Sequence, residues 1–279
     1  MERQMMATAV TLSQIQQQLA TVADNIANVG TTGYMSRNAQ FSDLLDQQIN
    51  NIDRNGDTVD SGARLTPAGI RSGSGTRIGD TQLDLSEGSI QATNNPLDVA
   101  LSSDHQMFLI GVNGGVAYTR AGAFNAQADP QNPNVLNLVT KSGDPVLDQN
   151  SRPIRLPAGY NDLQISGNGT ITAIMRNGNR VNAGRLGRVT ILRPQLLESQ
   201  GNGLYTLQNL GRLGIGLNQV VQPVGAGNNS VNQGKLENAN VDLTKEMSEL
   251  INLQRNYQLN ARSLTMRDQM SGLVNSILH

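Results

Sequence analysis

Apolar side chains recur every seven residues at the start of the chain. Met5, Leu12, Leu19 and Ile26 form one series, and Met1, Thr8, Ile15, Val22 and Val29, among which only Thr8 is polar, form a second, offset by three or four. On a helix the two merge into a narrow apolar seam bordered by Gln, Thr, Ser, Ala and Asn, the pattern of a coiled-coil contact. A matching seam, Leu243, Met247, Leu250, Tyr257, Ala261 and Leu264, lies near the other end, and its stripe then drifts to Met270, Leu273 and Ile277. Between the ends, short β-rich runs such as QMFLIGV, LNLVTKS, GTITAIM and GRVTILRP alternate with Gly, Asn, Asp and Pro. Turn signals NGG, SGD and RNGN between such runs predict antiparallel hairpins.

The expected fold is therefore α+β, with N- and C-terminal helices paired as a coiled coil and a mainly antiparallel, β-rich middle domain. Residues 1–50 hold the first helix and its closing turn, 51–80 a polar, Gly-rich irregular extension, 81–230 the β-rich domain and 231–279 the second helix. Asp242 is placed to cap the second helix, while Asn28, Gly30 and Gly33 offer the conformations that end the first. Pairing of the seams within one chain and association between copies are both open at this point.

Composition narrows the function. The 279 residues carry 21 Lys+Arg against 22 Asp+Glu, a net charge of -1, so no overall field favours a nucleic acid or an anionic membrane. Cysteine is absent, which removes disulfides and thiolate chemistry. With 37% hydrophobic and 3% aromatic residues the chain has little material for one large core and suits an elongated or multi-part molecule. No apolar run approaches the roughly 18 residues of a membrane span, and the polar-interrupted N-terminus does not describe a cleaved secretory signal.

Enzymatic readings find little support. His105 and His279 have no nucleophile or carboxylate at a diagnostic spacing. Gly73–Gly79 lacks the Lys-Ser/Thr of a phosphate loop, and Asp53–Asp57 misplaces the Gly and Glu of a calcium loop. A glycoside hydrolase would need two facing acids from among Asp98, Asp104, Asp144 and Asp148, and no spacing pairs them. No catalytic residue, cofactor or metal is expected.

Three segments carry a resemblance. Ala23-Asp24-Asn25-Ile26-Ala27-Asn28-Val29-Gly30-Thr31-Thr32-Gly33-Tyr34 resembles the pattern that closes the N-terminal helix of bacterial flagellar rod and hook proteins, with Met35 where a basic residue is usual. Asn95-Pro96-Leu97-Asp98-Val99-Ala100, Met107-Phe108-Leu109-Ile110 and Tyr118-Thr119-Arg120-Ala121-Gly122-Ala123-Phe124 are similar to the family's middle motifs, with Asp104-His105-Gln106 in place of a Gly-x-Gly and hence an altered turn. Gly234 to Asp242 with Glu246-Met247 and Gln254-Arg255-Asn256-Tyr257 is similar to its C-terminal pattern.

The resemblance implies a structural subunit of the flagellar basal-body rod, polymerising through its terminal helices into the drive shaft that carries torque to the hook, with the β-rich domain held outward. Length and middle motifs fit the rod members, the distal one and its close paralogue, better than the hook protein. The implied partners are copies of itself, neighbouring rod and hook subunits and the flagellar type III export apparatus, with no nucleic acid and no membrane insertion. The implied place is the basal body outside the cytoplasm, reached without a cleaved signal, and residues 51–80 are expected to order on assembly. A hook or junction subunit, or a non-polymerising β-domain adhesin, is the alternative. Candidate subunit contacts are the seam residues Met5, Leu12, Ile15, Leu19, Val22, Ile26, Leu243, Met247, Leu250, Tyr257 and Leu264. The motif residues Asn25, Asn28, Thr32, Gly33, Tyr34, Leu236 and Val241 join them. A seam Leu, once buried, contributes on the order of 1.5–3 kcal/mol.

Overall fold

A computed structural model describes residues 2–43, 47–49, 70–72, 76–112, 115–207, 214–225 and 227–277. It is an α+β chain, with a helix near each end and a β-rich middle. The first helix, α1, spans Glu2–Ala27. It closes where the Asn28 N–H donates to Asp24 O and Asn25 O at 3.1 and 3.2 Å. The second, α2, spans Leu243–Ile277, about 50 Å at 1.5 Å per residue. Asp242 caps it as its sequence position predicts, since Oδ1 accepts the Thr244 and Lys245 N–H groups at 2.9 and 3.2 Å. No helix among the described residues is long and apolar enough to cross a membrane.

The chain divides into two compact units. One combines Met1–Ala23, Ala39–Thr81 and Met247–His279, and the other Asp24–Asn38 with Gln82–Glu246. In the first, a short ribbon pairs Gln47–Ile49 antiparallel with Ile70–Ser72. A further ribbon pairs Arg37–Asp43 with Thr76–Leu83. Within the expected irregular extension, Ile70–Ser72 and the stretch from Thr76 to Asp80 are strand. Local composition hid this because the pairing joins segments some forty residues apart. The remainder of that extension, with the calcium-like letters at Asp53–Asp57 and residues 73–75 of the Gly73–Gly79 run, lies outside the described residues.

The second unit is built on a six-stranded antiparallel sheet. Its spatial order is Leu197–Gly201, Leu204–Leu207, Gly115–Thr119, Gln106–Val112, Arg188–Ile191 and Val221–Pro223. Alternate residues of the central strand face opposite ways. Phe108 and Ile110 enter one apolar cluster with Val99, Leu101, Phe124 and Ile171. Met107 and Leu109 enter another with Met35, Leu83, Leu85, Tyr118 and Tyr205. Burial on both faces explains why this strand reads as an unbroken apolar run. Two three-stranded antiparallel sheets flank the first cluster, and two-stranded ribbons tie Val99–Leu101 to Val231–Gln233 and Ile90–Ala92 to Lys235–Glu237.

Candidate assembly site

The turn after α1 is organised by Asn25, whose side chain is 1% exposed. Its Oδ1 accepts the Tyr34 hydroxyl at 3.1 Å and the Arg37 N–H at 3.0 Å, while its Nδ2 donates to Arg37 O at 3.0 Å. Both ends of the Asn25 amide are therefore engaged at the helix end. Asn28 Nδ2 donates to Asp24 O at 2.8 Å, and Thr31 Oγ1 donates to Asn28 Oδ1 at 3.3 Å. Burial raises the Tyr34 phenol above its ordinary range. Met35, in the place of the family's usual basic residue, is fully buried in the second cluster, so packing rather than charge anchors the chain here.

Gly33 makes the next step possible. It has φ +68, and a Cβ there would lie 2.3 Å from Ala121 N, so only glycine fits both the backbone conformation and the space. Its N–H donates to Glu237 O at 2.8 Å. The Glu237 carboxylate, 2% exposed as a residue, pairs with Arg120 and accepts the Gly88 N–H at 2.9 Å. Arg120 spends its other donors on Leu101 O, Ser103 O and Gln106 O. Burial pushes the Glu237 carboxyl up, and the Arg120 charge opposes that rise. Asn240 finishes the node: Oδ1 accepts the Ser36 N–H at 2.7 Å and Nδ2 donates to Asp84 O at 2.8 Å. The three sequence motifs, far apart in the chain, thus meet in one buried hydrogen-bonded node.

Beside it lies a cleft of about 390 Å³ lined by Thr31, Thr32, Thr119, Thr140, Lys141 and Ser142, which places the Thr32 hydroxyl and a lysine at the signature turn. Leu236 and Val241 are half-buried. His105 adopts φ +61 within the altered Asp104-His105-Gln106 turn. The acids considered for hydrolysis serve local turns: Asp98 accepts from Thr93 and Asn95, Asp104 from Glu87 N–H, and Asp148 from Asn150 and Arg152 N–H. Asp144 Oδ2 lies 3.5 Å from the Thr140 hydroxyl.

The helices present a second set of surfaces. On α1, Ile15 and Val22 are 8% and 4% exposed, and Leu12, Leu19 and Ile26 are half-buried, in line with the seven-residue pattern; the Met5 side chain lies outside the described residues. Gln18 Nε2 donates to Glu249 Oε1 at 2.8 Å and Gln16 Nε2 to the Tyr257 hydroxyl at 3.2 Å, so this stretch of α1 runs antiparallel beside α2. On α2, Leu250, Tyr257 and Leu264 are half-buried and Leu253 is 6% exposed. Leu243 and Met247 are 43% and 44% exposed. Leu253 lies outside the expected seam because both residues at seven-residue spacing from it, Glu246 and Asn260, are polar. Ile251, Leu259, Met266 and Met270 are also exposed, between 50% and 65%, which leaves α2 apolar on a side turned to solvent.

Three family patterns match the chain in order. "Flagella basal body rod protein" covers residues 7–34, "Flagellar hook protein FlgE/F/G D1 domain" residues 106–173 and "Flagellar basal body rod FlgEFG protein C-terminal" residues 232–277. The flagellar hook-basal body complex protein FlhP of Bacillus subtilis is 39% identical over 99% of this chain and 100% of its own length. The flagellar basal-body rod protein FlgG of Agrobacterium fabrum is 32% identical over 94% of both chains, and that of Bacillus subtilis is 32% identical over 93% and 92%.

Proposed function

Because this chain belongs to the flagellar basal-body rod and hook protein family, we propose that it is a structural subunit of the rod whose terminal helices pair as a coiled coil and pack against those of neighbouring copies. One observation carries the reading: α2 turns Leu250, Leu253 and Tyr257 inward yet leaves Leu243, Met247, Ile251, Leu259, Met266 and Met270 open to water. Row after row of exposed apolar side chains on a long helix is an interaction surface in want of a partner. A second helix laid on it supplies what a single chain lacks.

On this reading Leu12, Leu19, Leu250 and Leu264 seat the two helices of one subunit, and Leu243 and Met247 reach the next. Asn25, Asn28, Gly33, Tyr34, Leu236 and Val241 hold the helix end in the position from which those contacts are made, and Thr32 opens the hydroxyl-lined cleft to a neighbour. The subunit works by transmitting force rather than by chemistry. Its partners are its own copies, adjoining rod and hook subunits and the flagellar export apparatus, and its place is the flagellar basal body, with no insertion into a membrane.

Light scattering with negative-stain imaging at rising concentration tests this. Full-length protein is expected to form filaments or tubes. A 24–246 core, which keeps Gly33 and Glu237, is expected to stay monomeric. Tubes formed equally well by that core would move assembly out of the helices and end the proposal.

A further inference from the structure

Charge is segregated along the middle of the chain although the total is close to zero. Residues 150–193 contain seven arginines, no lysine and one carboxylate, Asp162, whereas residues 82–148 contain seven carboxylates and two cations, Arg120 and Lys141. Three of these arginines, Arg176, Arg180 and Arg185, belong to one three-stranded sheet and its hairpin turn. In the three strands Tyr160–Ile165, Thr170–Met175 and Arg180–Arg185, Ile171 and Ala173 face the core. Arg180 stands opposite Ile174 and Arg185 opposite Thr170, and these partners lie on the other face.

Arg180 and Arg185 are five residues apart, so a regular strand would place them on opposite faces. A bulge opposite Ile171 and Thr172 corrects this. Gly184 sits there at φ +117, and its N–H donates to Asn182 Oδ1 at 2.9 Å. The bulge puts both side chains on the same sheet face, where Arg180 is exposed and Arg185 half-buried. Arg176, in the hairpin turn before Arg180, is exposed, and so is Arg155 on the strand Arg155–Pro157 that lies beside Arg180–Arg185. None of these four makes an ion pair, the one ion pair among the described residues being Arg120 with Glu237.

A surface of unpaired guanidinium groups meets carboxylates well, because each planar fork can take two oxygens at once. It cannot meet itself, since a two-fold contact would set like charges together. A head-to-tail contact pairs unlike surfaces and leaves a free end for the next copy, which is the geometry of an open polymer. The receiving surface is on the same chain: Glu87 and Asp104 are exposed, linked by the Glu87 N–H to Asp104 Oδ1 bond of 2.9 Å, and have no cation paired to them. We infer that the arginine face formed by Arg155, Arg176, Arg180 and Arg185 docks on the Glu87–Asp104 carboxylates of a second copy, a lateral contact between middle domains that adds to the helix contacts. The inference rests on the rod-subunit reading.

The test uses full-length protein and critical concentration for assembly. One variant carries Arg155→Glu, Arg180→Glu and Arg185→Glu, and the other Glu87→Lys and Asp104→Lys, each first shown by thermal melting to be folded. Wild-type assembly is expected to weaken as salt rises from about 0.05 to about 0.5 M, because exposed charges are then screened within a few ångströms. Each variant alone should need at least tenfold more protein to assemble, and an equimolar mixture should recover most of the loss, since only unlike copies then present opposite charges. Wild-type tubes indifferent to salt and to both sets of changes would overturn the arginine contact while leaving the rod reading intact. Loss without recovery in the mixture would overturn the second copy as occupant, the more so if the arginine face alone retained the chain on a polyphosphate resin. A wild-type chain monomeric at every salt would overturn both. Should a variant fail to fold, the salt series on the wild type still decides.

Discussion

Two fully buried arginines show how neighbours set the value of a charge. Arg120 meets the Glu237 carboxylate, while Arg188 donates only to Ser230 Oγ, Asn168 O and Asn228 O and leaves its Nε without a partner. Burial, and then the charge of Arg185, lowers the Arg188 pKa. Arg120→Met strands a carboxylate out of water and should cost about 3–5 kcal/mol, whereas Arg188→Met strands no charge and should cost distinctly less. Chemical denaturation of the two variants compares them directly. Gly33→Ala combines a left-handed backbone with a Cβ 2.3 Å from Ala121 N. The conformation alone costs about 1–2 kcal/mol, and the displaced backbone adds to it. A variant as stable as the wild type would mean that the turn can move away from Ala121. Tyr205 supplies a pH dependence: burial pushes its phenol up to about 12 from 10.0. The unfolded chain releases that proton near pH 10 and the folded one holds it. Its contribution is therefore complete below pH 10 and is lost as pH climbs toward 12, by about 2–3 kcal/mol in all. Denaturation midpoints between pH 9 and 12 should fall more steeply for the wild type than for Tyr205→Phe.

At the scale of elements, α2 separates two kinds of apolar residue that look alike in sequence. Leu253 is buried and Met247 is open, six positions apart on one helix. Leu253→Ala should destabilise the single chain by about 2–5 kcal/mol through lost burial and a residual cavity. Met247→Ser should change the stability of the single chain by no more than about 0.5 kcal/mol, yet raise the concentration needed for assembly. Denaturation below the assembly concentration, paired with light scattering above it, reads the two effects separately. The existence of both helices, the Asp242 cap and the β-rich character of the middle were legible from local pattern. The inward side of α2 was legible only in part: the series Leu250, Tyr257 and Leu264 marks it, but Leu253 lies between the polar Glu246 and Asn260 at seven-residue spacing, and the contact is completed by Gln16 and Gln18 from the other end of the chain.

For the whole molecule, the node of Gly33, Arg120 and Glu237 means that residues 24–38, the last turn of α1 included, belong to the compact unit of the middle region. A fragment 24–246 should accordingly melt in one cooperative transition, and Glu237→Leu in that fragment should lower its melting temperature by several degrees or more, as seen by circular dichroism. The sequence alone determined what depends on neighbours a few residues away: the seven-residue seams, the caps, the turns, and the three motifs that resemble the flagellar family. It also held the segregation of charge, visible by counting. Only the tertiary structure decided which of these features meet. Arg120 finds Glu237 across 117 positions, Met35 takes a place in a core formed by strands far along the chain, and a single bulge at Gly184 sets Arg185 on the same sheet face as Arg180. Periodicity reports how a segment divides apolar from polar side chains, but the partner that covers each face is set by chain closure over long separations, and no local pattern encodes that.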